Sequence, residues 1–292
     1  IGVILVIPKL VDVVFYPPVR FLRNLNGLSM LSFNNVRTSK VLINNLRLIA
    51  VSIISIVMIS SLRVSIVEVV KGAYDGMRMD VFISVNSNYL KSINDLVTGY
   101  GEASWVNSSG HIPAKLNGDP GKIMNISYIE PQKYKTFENY TVFNNKEQEL
   151  DALDRNEDGI IISKQMAVRY KIREGDTITL STEDKSAELK VLSIFNAKMM
   201  NSGNENLISM KAALKHFDVK YPTQYYITTK VPAADGKAAL EKKLKGLGAK
   251  VMTKTEMNKA NDEGNKQLTD IMGIFSYITM VIGAFGILSN IS

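Results

Sequence analysis

Uncharged apolar residues run together near both ends of the chain, and short alternating bursts fill the space between. The run Ile271–Ser292, IMGIFSYITMVIGAFGILSNIS, has no charge in 22 residues. A helix crossing a bilayer needs about 20, so a transmembrane helix is predicted at 271–292, cut short where the chain stops. Gly273, Ser276, Gly283 and Asn290 recur on one seam of it with Gly286 beside them, and small residues of this kind let helices approach closely in lipid. A second run, Leu48–Leu62, LIAVSIISIVMISSL, is bracketed by Arg47 and Arg63. It covers about 22 Å at 1.5 Å per residue, and its flanking arginines can reach the headgroups. Apolar character continues past Arg63, so a spanning helix over 48–62 is predicted to run on as a stalk to about residue 77. The first 16 residues, IGVILVIPKLVDVVFY, hold Pro8, Lys9 and Asp12 and lack a basic start or cleavage site. They are expected to be the end of a membrane helix.

Two narrow stripes flank the middle of the chain. Ile66, Val70, Ala73 and Met77 repeat at helical spacing, as do Met257, Ala260, Gly264 and Leu268. Such stripes suit two helices pairing in a stalk, with residues 254–270 as the returning arm. Between them periodic patterns predict strands at Met79–Val85, Ala103–Ile112, Lys122–Ile129, in DTITL and AELKVLSIF, at Thr223–Lys230 and at Ala249–Met252, and the apolar run Gly159–Ser163 predicts a short buried strand. Helices are predicted at Leu90–Tyr100, in SKQMAVRY and at Asp235–Lys245. Early and late β-α-β pieces with an interruption between them predict an α+β domain over 78–253 with two lobes, the outer one (about 131–222) inserted into the other.

Charge sets the orientation. Of the net +7, five positive charges (Arg20, Arg23, Arg37, Lys40 and Arg47) fall within residues 17–47, where there is no acid. Residues 1–16 are neutral, which leaves the other 245 residues with +2. Basicity this local argues against a nucleic-acid partner and for an anionic membrane surface. By the positive-inside rule the segment 17–47 is cytoplasmic, and its mixed apolar and basic residues suit an amphipathic interfacial helix. Residues 63–270 are then extracytoplasmic. An abundance of Ile, Asn and Lys fits an AT-rich bacterial genome.

Little in the chain points to catalysis. There is no cysteine, hence no disulfide, thiolate metal site or cysteine nucleophile. The two histidines, His111 and His216, are far apart in sequence and read as surface or capping residues. GDPGKIM (Gly118–Met124) lacks the first glycine and the Ser/Thr of a phosphate loop, since Leu116 and Ile123 stand there. A metal is suggested by DRNEDG, where Asp154, Asn156, Asp158 and Gly159 match the start of an EF-hand calcium loop. Gln165 occupies the twelfth position, where that loop needs a bidentate glutamate, and three isoleucines fill its second half. A polar turn before a strand explains the same letters.

IIISKQMAVRYKIREGDTITL followed by AELKVLSIF resembles the outer domain of FtsX-like and MacB-like ABC transporter permeases, with its strand, helix, GD turn and strands. SFNNVRTSKVLINNLRLIAVSIISI is similar to the arginine-bearing approach to a spanning helix in that family. The order of basic segment, long helix, outer domain and returning helix also agrees. The resemblance implies an internal fragment from the second half of a roughly ten-span permease in the bacterial cell membrane, with a MacB-like periplasmic core. It implies a non-enzymatic subunit acting by mechanotransmission, with no cofactor of its own and ATP bound by a partner ATPase subunit. Homodimers or pseudo-dimers of permease halves and an outer protein or peptide partner follow from it too. Expected roles are export or extraction of peptide, lipid, lipoprotein or antibiotic. The alternatives are an FtsX-like scaffold that activates a cell-wall hydrolase or sensor kinase, and a membrane-anchored calcium-dependent module.

Overall fold

The structure, a computed structural model, describes residues 13, 40–70, 74–198 and 203–288. The expected spans and segments over 1–39, including Arg20, Arg23 and Arg37, therefore lie outside the described residues apart from Val13. The chain divides into two units, one of residues 1–71 with 260–292 and the other Gly72–Lys259.

In the first unit, helix α1 (Lys40–Val70) contains a 19-residue segment, Arg47–Ser65, of mean hydropathy 2.1. Among the described residues it is the segment long and apolar enough to cross a membrane. At 1.5 Å per residue it reaches about 28 Å, close to a hydrocarbon core of about 30 Å. Val51, Ile53, Val57 and Met58 on it are exposed. The stalk helix expected to run to residue 77 differs: α1 ends at Val70, and Tyr74–Gly76 form a turn. This turn reads YDG. There the backbone of Gly76 meets the Asn139 side chain so closely that a Cβ would overlap it.

The Gly72–Lys259 unit is a mixed α/β fold. Its strands are β1 (Val81–Val85), β2 (Ala103–Leu116), β3 (Ile123–Ile129), β4 (Gly159–Ser163), β5 (Thr177–Ser181), β6 (Ser186–Phe195), β7 (Asn206–Ser209), β8 (Gln224–Thr229) and β9 (Ala249–Thr253). Its helices are α2 (Leu90–Thr98), α3 (Pro131–Tyr134), α4 (Lys146–Arg155), α5 (Lys164–Tyr170), α6 (Met210–His216) and α7 (Ala233–Lys243). Helix α8 (Lys254–Leu288) begins in this unit.

The nine strands run β3-β7-β4-β6-β5-β2-β8-β1-β9, and β3 also pairs with β2. That extra pairing bends six strands, β2 to β7, into a closed ring. Its narrow seams are Ile161↔Leu207 and the two pairs Lys115↔Ser181 and Leu116↔Leu180. Alternate residues of all six strands share one core, among them Leu116, Ile126, Ile160, Leu180, Leu189 and Ile208. Closure removes the free edges such short strands would otherwise present. Strand β2 belongs to both halves: residues 103–109 pair with β8, and 109–115 pair with β3. The two lobes expected from the sequence are thus two ends of one sheet. The junction falls within β2 near Ser109, ahead of residue 131. Across it Gly110 faces Tyr128, whose ring lies where a Cβ would stand.

Local rules explain most elements. Strand β6 alternates buried Ala187, Leu189 and Val191 with exposed neighbours, and β5 pairs with it antiparallel. The turn before β5 needs Gly175 at φ +88, and Asp176 accepts the Arg173 N–H at 2.7 Å. Helix α4 is not among the elements that the sequence pattern predicts. It forms because Asn145 caps it by accepting from Gln148 N–H (3.2 Å), because Glu147 and Glu149 occupy its first turn, and because Leu150 and Leu153 are buried. At three places a strand passes straight into a helix, its last residue serving as the N-cap. Ser163 accepts from Met166 N–H, Ser209 from Ala212 N–H and Thr253 from Glu256 N–H.

Candidate coupling site at the foot of the sheet

The third of these junctions is the most heavily braced. Thr253 ends β9 and caps α8, accepting the Glu256 N–H at 3.2 Å, and Glu256 Oε2 accepts the Thr253 N–H at 2.9 Å. This is a capping box, T-x-x-E, satisfying two orphan donors at once. The other carboxylate oxygen, Oε1, meets Lys237 Nζ on α7 at 2.6 Å. The Lys237 ammonium, helped by the Thr253 N–H, holds the Glu256 carboxyl below its usual range, and Glu256 raises Lys237.

The incoming segment Tyr74–Asp80 is bound to the same junction. Tyr74 N–H donates to Asn258 Oδ1 at 3.2 Å, and Asn258 Nδ2 donates to Asp75 Oδ1 at 2.7 Å. Lys254 Nζ donates to the Asp75 carbonyl at 3.3 Å, and the Lys254 N–H to the Asp80 carbonyl at 2.9 Å. Asp80 Oδ2 accepts the Thr229 N–H from β8 at 2.8 Å, and Arg78 N–H donates to the Phe137 carbonyl at 2.6 Å. Both chain crossings of this unit are therefore tied to one another and to β8.

Beneath the clamp lies an aromatic cluster. Phe137 stands 4.4 Å from Tyr226 and 6.3 Å from Trp105, and Phe82 is 5.2 Å from Tyr226. The Arg78 guanidinium covers the Trp105 ring at 4.7 Å. Glu138 is buried but satisfied: it accepts from the Tyr140 and Thr141 N–H groups and pairs with Lys146 at 3.0 Å. Burial pushes the Tyr226 phenol up to about 12 and drives Tyr134, with Glu138 adding to it, well above the ordinary value. These phenols stay neutral at physiological pH. The arrangement is a packed junction in which the incoming segment, α7, β8 and the start of α8 are tied together.

The calcium letters resolve into ion pairs. Asp154, in the last turn of α4, accepts from Gln132 (3.1 Å) and Lys211 (3.1 Å). Asn156 Oδ1 accepts the Asp158 N–H at 3.0 Å, a local turn. Asp158 Oδ1 meets Lys215 at 2.9 Å and His216 Nε2 at 2.6 Å. Cations on and beside α6 hold both carboxyls below their usual range. Among the described residues no three His, Cys, Asp or Glu side chains gather as a metal site requires. His111 Nδ1 lies 2.6 Å from Ser127 Oγ across β2 and β3.

In the other unit, Lys40 opens α1, and Arg47 donates to Asn44 at 3.2 Å. Gly273, Ser276, Gly283 and Gly286 all fall within α8. Arg63 on α1 lies 3.8 Å from Asp270 and is also the nearest group to a Cβ built on Gly273. Both charged groups are about half exposed, so the pair contributes at most about 1 kcal/mol in water. The clamp residues Tyr74, Asp75, Asp80, Lys237 and Asn258 were missed from sequence; T-x-x-E at 253–256 was a readable signal.

No protein family and no curated protein matches the chain. Among solved structures it is similar to the periplasmic region of MacB from Actinobacillus actinomycetemcomitans, with a TM-score of 0.45 and 11% identity over 64% of this chain and 94% of that one. It is also similar to the extracellular domain of the noncanonic ABC-type transporter YknZ from Gram-positive bacteria. There the TM-score is 0.40 and the identity 12%, over 60% of this chain and all of that one.

Proposed function

We propose that the chain is part of a permease subunit of a bacterial ABC transporter, converting movement of membrane helices into movement of an outer α/β domain. The observation that carries this reading is the junction at Thr253. No loop separates β9 from α8, the first turns of α8 are locked by side chains to the incoming segment and to α7, and the incoming segment is in turn bonded to β8 through Asp80. A displacement of the first turn of α8 would reach the sheet without slack. Exposed apolar side chains along Arg47–Ser65 support a bilayer, because burying each such side chain contributes about 1.5–3 kcal/mol that water cannot supply. In this reading the chain performs no chemistry itself and ATP is hydrolysed by a cytoplasmic partner. Residues 17–47 face the cytoplasm, 63–270 lie outside, and the Gly273–Gly286 seam packs helices in lipid.

Single-cysteine labelling tests the topology in a background free of native cysteine. In intact cells Ser186→Cys should react with a membrane-impermeant maleimide and Ser39→Cys should be shielded. The reverse pattern overturns the orientation. Purification of the protein from membranes should bring an ATP-hydrolysing subunit with it, and its absence removes the permease reading.

A further inference from the structure

Among the described residues strand β9 ends the sheet, and its one partner is β1. The register sets Met252 against Phe82 and Lys250 against Ser84. The flanking bonds, Lys254 N–H to the Asp80 carbonyl and Asn86 N–H to the Gly248 carbonyl, fix the phase of the ladder. Bonded pairs alternate in an antiparallel ladder. Met252 and Lys250 therefore turn their backbone groups toward β1, and Ala249, Val251 and Thr253 turn theirs outward. The Thr253 N–H is taken by Glu256. The backbones of Ala249 and Val251 face a groove of about 540 Å³ between β9 and the end of α7, walled by Leu244, Lys245, Lys250 and Met252. Lys237, also on the groove, is paired with Glu241 (3.6 Å) and Glu256 (2.6 Å). Lys245 and Lys250 are exposed and have no ion pair among the described residues.

We propose that this groove is a strand-addition site, taking an extended segment of a partner protein in which acidic residues alternate with apolar ones. Main-chain bonds to Ala249 and Val251 would supply the pairing. One face of the added strand would set apolar side chains beside the half-buried Ala249, and the other would set carboxylates against Lys250, with Lys245 at the rim. A lysine in the middle of an edge strand also discourages a second copy. An antiparallel β9–β9 pair brings Lys250 close to its own counterpart, and like charges across a ladder are destabilising. The same lysine that blocks self-pairing thus selects an acidic strand. The inference rests on the sheet edge and stands whether or not the permease reading does.

The test uses the detergent-solubilised chain and a fluorescein-labelled synthetic peptide alternating glutamate and valine, with a lysine–valine peptide as control. The glutamate peptide should bind and slow amide exchange at Ala249 and Val251. The Lys245→Glu/Lys250→Glu chain should bind it about tenfold more weakly and bind the lysine peptide instead. Ala249→Pro, which removes an outward donor without touching a bond to β1, should lose the protection at Val251. If that variant misfolds, the charge swap decides alone, because both lysines are on the surface. Failure of the glutamate peptide to bind, protection away from β9, or binding unaffected by the charge swap overturns the proposal. So does self-association of the chain through β9 without peptide.

Discussion

Glu256→Ala would test whether the clamp behaves as one unit. The substitution strands the Thr253 N–H, which water can reach, costing about 0.5–1 kcal/mol. It also removes the ion pair with Lys237, worth about 0.5 kcal/mol because Glu256 is 44% exposed. Together these come to about 1–1.5 kcal/mol, or roughly a tenfold rise in opening of the first turn of α8. Amide hydrogen exchange reads this at Thr253. If the clamp is cooperative, the Tyr74 amide, held by Asn258, should accelerate with it. Glu256→Gln keeps an oxygen for the Thr253 N–H and loses only the charge, so it should fall about midway. The pH dependence has a definite sign. The folded carboxyl lies below its ordinary value, so its contribution is complete above about pH 4.3 and fades as pH falls through the lower folded value. The difference between the native chain and Glu256→Gln should persist at pH 7 and narrow below about pH 4. A change of less than twofold at Thr253, or acceleration there with Tyr74 unmoved, refutes the reasoning.

Gly110→Ala should destabilise the Gly72–Lys259 unit by about 1–3 kcal/mol, because the Tyr128 ring fills the space; an unchanged urea midpoint would show that β2 and β3 can part there. Phe137→Ala should cost about 3–5 kcal/mol and alter the emission of Trp105, the chain's single tryptophan, which stands 6.3 Å away. Unchanged emission would displace Phe137 from that contact. Ser209→Ala should cost about 1 kcal/mol through the lost cap of α6, read by denaturation. Calcium titrated into the chain at neutral pH should give no saturable heat, because Asp154 and Asp158 are already held by Lys211, Lys215 and His216. Saturable heat that disappears in Asp154→Asn would restore the calcium reading.

The strands with clean alternation, such as those in AELKVLSIF and TQYYITTK, were legible because a half-buried sheet writes period 2 into the sequence. Strand β7 was not. Its four residues NLIS are all buried, so they carry no alternation. Helix α4 hid in an acidic stretch because its core contribution is two leucines, while its caps, Asn145 and Glu149, resemble loop residues. Ring closure was out of reach, since it depends on seams such as Ile161↔Leu207 whose register no local pattern encodes. The clamp joins residues 184 positions apart at Tyr74 and Asn258; only its capping box is local. The stalk was expected to reach residue 77 because a hydrophobic stripe continues to Met77, whereas Tyr74–Gly76 form a turn in which Gly76 lies against the Asn139 side chain.

The ring also sets an order of assembly. Its six strands, β2 to β7, are contiguous in the chain, so it can close on itself before the residues of β8 have left the ribosome. Strand β1 emerges first of all, yet both its neighbours, β8 and β9, come last. It must wait unpaired while the ring folds, and loop closure over so long a stretch is slow. The foot of the sheet is therefore the last part to form, and it is there that an assembly defect would first leave a strand exposed.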